Sequence, residues 1–255
     1  MIKNTLLFVR LLLLLCVSAS IYAKDVRVAF GEKLPPFIIP ESNSGIELDI
    51  IKEALAEKGH KLIPVYLPMG RISLAFKNKE VDVVMMDVGE KLEVFGGYYG
   101  EAPVLYQNYF ITLKKKNLKI EKPQDLKGLR INSFVGALKR YPEWLKEVAK
   151  TDLYSEKNDQ SIQVKLLNLE RVDVVLSDIN IYKYYSMKAK SSSLNFKPQE
   201  VAFHRFTEVN PIHYKPVFEN KDIRDDFNFG LKEISKKGRI QAITKRYLQE
   251  LVKTQ

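Results

Sequence analysis

The sequence of 255 residues has a formal net charge of +10 and a single cysteine, Cys16. Once the N-terminal segment described below is removed, no cysteine remains, which excludes a disulfide scaffold, a thiolate metal site and a cysteine nucleophile. The lysines are spread along the chain, a pattern typical of a solvated basic surface, and we expect no nucleic-acid partner.

The N-terminus predicts export. Lys3 and Arg10 flank the start of an apolar run over residues 11–17, and small residues follow up to Ala23. A basic start, a short apolar core and a small-residue exit are typical of a secretory signal peptide. We therefore expect residues 1–23 to be removed on the way to the periplasm, with cleavage near Ala23 or, alternatively, Ser20. The rest of the chain is long enough for one large domain or for two lobes.

The next elements are a strand, a stiff loop and a helix. Residues 25–30 alternate in polarity as a strand does, and a loop with two prolines follows and ends at Phe37. Such a loop can hold Phe37 over a ligand, although a place in the core is an equally good interpretation. Ser44 and Glu47 have capping-box spacing at the start of a helix that Gly59 ends.

A second strand is predicted over residues 61–67, and a helix begins near Arg71. An arginine is unfavourable beside the positive end of a helix dipole. This favours a carboxylate or ligand partner for Arg71, although an exposed arginine is the commoner outcome.

A seven-residue phrase occurs twice. Residues 81–87 read VDVVMMD and residues 172–178 read VDVVLSD, so that five of seven positions match. Each copy is an apolar run typical of a parallel strand buried between helices. Ligands of open parallel sheets bind beyond the carboxyl ends of the strands, which is where Asp87 and Asp178 fall. The repeat predicts two similar α/β lobes around one cleft, although buried parallel strands often look alike and aspartate is a common loop residue.

The second lobe is predicted to follow an aromatic-rich strand over residues 104–113. A strand over residues 129–134 ends at Phe134, and Gly136 precedes the next helix. Backbone N–H groups exposed at such a helix start suit an anionic group. Phe134 and Gly136 are therefore candidate ligand contacts.

The remaining elements complete the first lobe. Strand-like residues 200–206 and 212–218 are predicted to lead back, and two amphipathic helices separated by Gly238 follow. We assign residues 24–110 and 206–255 to lobe 1 and residues 111–205 to lobe 2.

In this order the features resemble the extracellular solute-binding protein family 3, the polar-amino-acid-type binding proteins of bacterial ABC importers. The resemblance covers nearly the whole mature chain and is carried by the Pro-Pro-Phe loop, GIELDI at residues 45–50, VDVV at 81–84, DLKGLRI at 125–131 and RVDVVLSD at 171–178. It implies the type II periplasmic-binding fold: two α/β lobes, each a mostly parallel sheet flanked by helices, joined by two hinge strands. We expect a monomer without a cofactor that closes on a small-molecule ligand and serves an ABC permease in the inner membrane.

The resemblance also implies roles for single residues. Asp178 matches the family aspartate that binds the α-ammonium group of the ligand. Phe37 matches an aromatic residue of the cleft, and Gly136 matches the glycine whose neighbouring N–H groups meet the ligand carboxylate.

The sequence departs from the family at the carboxylate clamp. The position of the family arginine falls on Leu92, so that Arg71 or Lys91 has to supply the positive charge, or the ligand is not a standard α-amino acid. Because a buried, unpaired carboxylate is costly, Asp87 and Asp178 favour a cationic or amine-bearing ligand.

A binding protein without catalysis is the main interpretation. No metalloprotease motif and no phosphate-cradling glycine loop is present, and the spacing of acidic residues and histidines suits no metal. Of the three histidines, His60 is expected to be exposed, and His204 and His213 to be structural.

Two alternatives stay open. The first is an enzyme on the same fold, similar to the cyclohexadienyl dehydratases, with Asp87, Glu90 or Asp178 as the acid or base. The second is a periplasmic receptor domain that reports ligand to a sensor kinase.

Overall fold

Two five-stranded sheets with helices on their faces form the architecture. The structure, a computed structural model, describes residues 23–85, 90–192, 196–208 and 214–252. Its strands are β1 Asp25–Gly31, β2 Lys61–Leu67, β3 Val83–Val84, β4 Tyr98–Tyr99, β5 Asn108–Leu113, β6 Ile131–Phe134, β7 Tyr154–Lys157, β8 Val174–Asp178, β9 Val201–His204 and β10 Val217–Phe218. Its α-helices are α1 Ile46–Ala56, α2 Met69–Lys77, α3 Ala137–Arg140, α4 Pro142–Leu145, α5 Ile162–Asn168, α6 Ile179–Ser192, α7 Lys221–Lys236 and α8 Arg239–Val252.

The two sheets have the same plan. Their strand orders are β2-β1-β3-β10-β4 and β7-β6-β8-β5-β9. In each sheet one strand, β10 or β5, runs antiparallel to its neighbours, and the other four share one direction. The prediction of two α/β lobes, each with a mostly parallel sheet, is confirmed.

The repeated phrase forms the middle strand of each sheet, β3 and β8. The first aspartate of each copy binds an arginine at the amino end of the neighbouring strand. Asp82 accepts from the backbone N–H (2.8 Å) and Nε (3.1 Å) of Arg27, and Asp173 accepts from the same groups of Arg130 (2.9 and 3.0 Å). We call these two pairs the Asp–Arg braces. The guanidinium group of Arg130 lowers the pKa of Asp173.

Helices cover both faces of each sheet. Helices α1, α7 and α8 pack on one face of the first sheet and α2 on the other. In the second sheet α3 and α4 cover one face, and α5 and α6 cover the other. None of the described helices is both long enough and apolar enough to cross a bilayer.

The chain crosses between the sheets twice, after β4 and after β9. Residues 100–107 of the first crossing contain no paired strand, so the strand predicted from residue 104 begins only at Asn108. All of β5 pairs within the second sheet, and the lobe boundary predicted after residue 110 falls inside it. Part of the second crossing, residues 209–213 with His213, lies outside the described residues.

The predicted capping box at the start of α1 is wrong. No side chain caps this helix, and its first N–H groups donate to the backbone carbonyls of Pro36 (3.0 Å) and Phe37 (3.2 Å). The proline-rich loop therefore fills the place that Ser44 was predicted to take. Glu47 is turned into the core, where Tyr106 donates a hydrogen bond to it.

The prediction that His60 is exposed is also wrong. Its side chain is buried beside α7, and its Nε2 lies 3.0 Å from Oδ2 of Asp226. His204 was expected to be structural and lies 2.9 Å from the Thr112 hydroxyl, within the second sheet.

Candidate ligand-binding cleft

A cavity of about 380 Å³ lies where the strand ends of the two lobes face each other. Both lobes and both crossings supply its lining, which consists of Gly31, Glu32, Lys33, Leu34, Met69, Tyr106, Asn108, Phe134, Val135, Gly136, Lys139, Arg140, Asn158, Gln160, Asp178, Ile181 and Tyr214. Strands β1, β6 and β8 reach the cavity with their carboxyl ends, the edge at which ligands of parallel sheets bind.

Asp178 ends β8 and lines the cavity. Its carboxylate accepts backbone N–H groups from Gln107 (2.7 Å), Asn180 (2.8 Å) and Ile181 (3.1 Å), so it caps α6 and holds the first crossing against the second sheet. Burial raises the pKa of Asp178 to about 6, although the three donors favour the ionised form. An ionised carboxylate has about four acceptor positions, and three of them are occupied here.

Gly136 and Phe134 both line the cavity, but the N–H donors predicted for a ligand are already in use. The backbone N–H of Gly136 donates to Glu156 Oε2 (2.7 Å), and that of Leu138 donates to Oε1 (2.8 Å). The Tyr154 hydroxyl donates to the same carboxylate (2.7 Å). A carboxylate of the protein thus occupies the place that the resemblance gives to the ligand's carboxylate.

Phe37 and Arg71 lie away from the cavity lining. Phe37 is buried in the core of the first lobe behind Tyr106, with the two ring centroids 4.3 Å apart. Arg71 is more than half exposed, and its Nη2 lies 3.2 Å from Oε2 of Glu80. Its place at the start of α2 turns it to solvent and to this surface partner.

The structure describes only part of the segment around residue 92, the position of the family's carboxylate-binding arginine. Asp87 is a predicted site residue and lies outside the described residues. Leu92, at the position of the family arginine, is fully buried, and Lys91 is exposed away from the lining. Glu90, one of the candidate acids, pairs with Lys77 on the surface (2.6 Å).

An aromatic stack joins the two crossings beneath the cavity. Tyr106 lies between Phe37 and Tyr214, at 4.3 and 5.3 Å between ring centroids. The Tyr106 hydroxyl donates to Oε2 of Glu47 (3.0 Å), and both side chains are buried. Burial raises the pKa of Glu47 to about 7. Sequence reasoning missed this pair, and the aromatic residues of the first crossing were the only signal for it.

Arg140 is a second residue that sequence reasoning missed. It ends α3, and its guanidinium carbon lies 5.7 Å from the ring centroid of Phe134 and 5.3 Å from that of Tyr214. The two rings come from the second sheet and the second crossing, and cation–π attraction holds the guanidinium group between them.

Most arginines of the described residues pair with a carboxylate instead. These pairs are Arg27–Asp82, Arg71–Glu80, Arg130–Asp173, Arg205–Glu208, Arg224–Asp225, Arg239–Glu53 and Arg246–Asp49. Within the part of the chain that the structure describes, Arg140 makes no such ion pair. The side chain of Arg140 lines the cavity.

The lining offers both apolar surface and charged groups to a ligand. The lining combines aromatic faces, three basic side chains and two carboxylates. In the described ranges no three histidine, cysteine or acidic side chains come together where they could hold a metal ion. A small polar solute with charges of both signs matches this lining.

Comparison with known families agrees with the architecture. Residues 26–250 match the family model described as bacterial extracellular solute-binding proteins, family 3. A search of curated protein sequences finds no significant match.

Several solved structures share the fold. An ancestral arginine-binding protein bound to glutamine has a TM-score of 0.66 and 20% identity, over 88% of this chain and 97% of that one. The GluR0 ligand-binding core in complex with L-glutamate has a TM-score of 0.69 and 18% identity, over 89% and 99%. The ancestral amino-acid-binding protein AncCDT-1, a precursor of cyclohexadienyl dehydratase, has a TM-score of 0.66 and 18% identity, over 88% and 95%. At these identities the likeness concerns the fold alone.

Proposed function

Because the chain belongs to family 3 of the bacterial extracellular solute-binding proteins, we propose that it is a periplasmic binding protein for an ABC importer. It closes on a small polar ligand that is amine-bearing or amino-acid-like. The cavity carries this proposal, since both lobes and both crossings line it and Asp178 lies in it, buried. Its volume falls in the range of small-molecule sites, roughly 300–1,000 Å³.

The amine preference rests on Asp178. The three backbone donors leave one acceptor position of its carboxylate, and an ammonium group is the ligand group that such an acceptor binds best. Asp87 ends the matching copy of the repeat, and we infer that it adds negative charge to the site. The amino acids named with the structural neighbours, glutamine and L-glutamate, support a ligand of this class.

The closing motion follows from the two crossings. We infer that the two lobes move as units, and that the first boundary between them lies in the crossing before β5 rather than after residue 110. We also infer export through residues 1–23 and a monomeric state. N-terminal sequencing of protein recovered from the periplasm should begin at Lys24, and light scattering should give the mass of one chain.

A thermal-shift screen tests the ligand class. The mature chain is expected to be stabilised by at least one of the proteinogenic L-amino acids or simple diamines. A ligand at 100 times its dissociation constant stabilises by about 2.7 kcal/mol, which raises the melting temperature by several degrees. If only anions without an amine stabilise the protein, the amine-bearing class is wrong.

The Asp178→Asn variant tests whether the carboxylate of Asp178 binds the amine. The amide keeps one acceptor but has no negative charge, so the affinity for any amine that binds is expected to fall about tenfold or more. Asp152→Asn, at an exposed position outside the lining, should leave the affinity unchanged. Equal affinities of wild type and Asp178→Asn would show that the ammonium group binds elsewhere.

A dehydratase is the second candidate. It is favoured by the pKa of Asp178, which is about 6 in a cavity that a substrate can enter, a value suited to general acid catalysis. The similarity to a precursor of cyclohexadienyl dehydratase points the same way. We expect that purified protein does not convert prephenate or arogenate into product, even if it binds them. The absorbance of the product measures the conversion. Product formation that Asp178→Asn abolishes would establish the enzyme.

A receptor role is the third candidate, because the GluR0 match is itself a ligand-binding core. Disruption of the cognate permease separates the two roles. Loss of ligand uptake supports transport, whereas intact uptake with a lost transcriptional response supports sensing.

A further inference from the structure

We propose that Arg140, in the second lobe, binds the anionic group of the ligand, so that the ligand is a zwitterion that spans from Asp178 to Arg140. This inference rests on the proposed binding function and adds a carboxylate to the ligand's amine. It also replaces the first-lobe arginine, whose position holds the buried Leu92.

The first support is the orientation of the side chain. Phe134 and Tyr214 flank the guanidinium group at 5.7 and 5.3 Å, and all three residues line the same cavity. Packing between two rings restricts the rotamers of a long side chain, so less entropy is lost when a ligand binds. The planar N–H groups suit a carboxylate, which they can bind in bidentate fashion.

The second support is that other groups of the cavity suited to an anion are engaged. Glu156 accepts the N–H groups of Gly136 and Leu138. Lys33 pairs with Glu41, and Lys139 also has a partner in the structure. Arg140 is paired with no carboxylate of the described residues, and a buried cation without a counter-charge is costly once the cleft closes. A ligand carboxylate supplies that counter-charge.

The third support is the relation between the two charged groups. Tyr214 contacts Arg140 through its ring, and the charges of Arg140 and Asp178 both act on its hydroxyl. Both charged residues thus lie near Tyr214. A small molecule with an ammonium and a carboxylate group satisfies both at once.

Paired acids and amines test the inference. Isothermal titration of the mature chain compares arginine with agmatine, lysine with cadaverine and histidine with histamine, pairs that differ by the carboxylate alone. The amino acid of the pair that binds is expected to bind about tenfold or more tightly than its amine. In Arg140→Gln this difference should collapse, because the acid loses affinity and the amine keeps its own. Arg140→Lys should restore part of the difference, since it keeps the charge without the planar fork.

Lys146→Gln is the matched control, because it removes one positive charge from an exposed residue of the same lobe that lies outside the lining. It should keep the acid preference. Equal binding of acid and amine by wild type, an acid preference that survives Arg140→Gln, or an equal loss in both variants would overturn the role of Arg140. If wild type binds none of these compounds and none of the proteinogenic amino acids of the thermal-shift screen, the proposed amino-acid-like ligand class itself fails. Thermal melts establish whether each variant is folded. If Arg140→Gln does not fold, Arg140→Lys is compared with wild type instead.

Discussion

At pH 8 the Glu47→Gln variant is expected to be about 2 kcal/mol more stable to unfolding than wild type, whereas at pH 4 it should be about 2 kcal/mol less stable. Burial raises the pKa of Glu47 to about 7 in the folded protein, against about 4.3 in an unfolded chain. The folded state therefore binds more protons between these values, and the wild-type stability falls as the pH rises from about 4.3 to 7.

Glutamine mimics the protonated side chain, keeps an oxygen that can accept the Tyr106 hydroxyl, and does not ionise. A shift of this size corresponds to roughly 4 kcal/mol at pH 8, and the amide N–H₂ group, which needs its own space in the core, lowers the stability of the variant by roughly 2 kcal/mol at every pH. Urea denaturation at a series of pH values measures the effect. The comparison between variants isolates Glu47, because the lowered pKa of His204 affects both proteins equally.

Two further variants sharpen this experiment. Glu101→Gln changes an exposed carboxylate and should leave the pH profile unchanged. Tyr106→Phe removes the hydrogen bond that lowers the pKa of Glu47, so the loss of stability should extend to higher pH than in wild type. If wild type and Glu47→Gln differ by the same amount at pH 4 and pH 8, ionisation of Glu47 is not the cause. Because Tyr106 also lines the cavity, the same titration should alter ligand affinity near neutral pH.

The Gly230→Ala variant is expected to lose about 3 kcal/mol of stability or more, which lowers the melting temperature by about 6–10 °C. Gly230 lies within α7, where that helix crosses α1. A Cβ atom at this position would lie 1.9 Å from the carbonyl oxygen of Ala54 and 2.7 Å from its carbonyl carbon. Both are backbone atoms, so relief requires the two helices to move apart.

Gly70→Ala is the matched control, since Gly70 is also helical and a Cβ atom there meets nothing within 4 Å. Alanine has the higher helix propensity, so this variant should gain about 0.5 kcal/mol. Thermal melts and urea denaturation of both variants measure the difference. Equal effects of the two substitutions would mean that the helices separate easily at this crossing.

Much of the fold could be predicted because its signals are local. The apolar run of the repeat marks β3 and β8, and the predicted strand over residues 61–67 has the bounds of β2. The predictions of a capping box and of an exposed His60 were wrong for the same reason. In both cases the partner, the Pro36–Phe37 loop or Asp226, reaches the residue only through tertiary packing.

The site was harder to predict than the fold. Asp178 could be predicted because it ends a recognisable strand. Glu156, which occupies the N–H groups of Gly136, lies on a neighbouring strand whose pairing no local pattern reveals. Arg140 is one of 41 lysines and arginines, and only its position between two rings distinguishes it.

The two Asp–Arg braces, which stabilise the two sheets, lie apart from the residues that line the cavity. Each brace joins neighbouring strands of one sheet at their amino ends, and the cavity lies at the opposite, carboxyl ends. Neither brace spans the gap between the halves, so the proposed opening and closing would leave both intact. The residues that line the cavity can therefore be substituted to bind a new solute, in evolution or by engineering, while both Asp–Arg braces are kept.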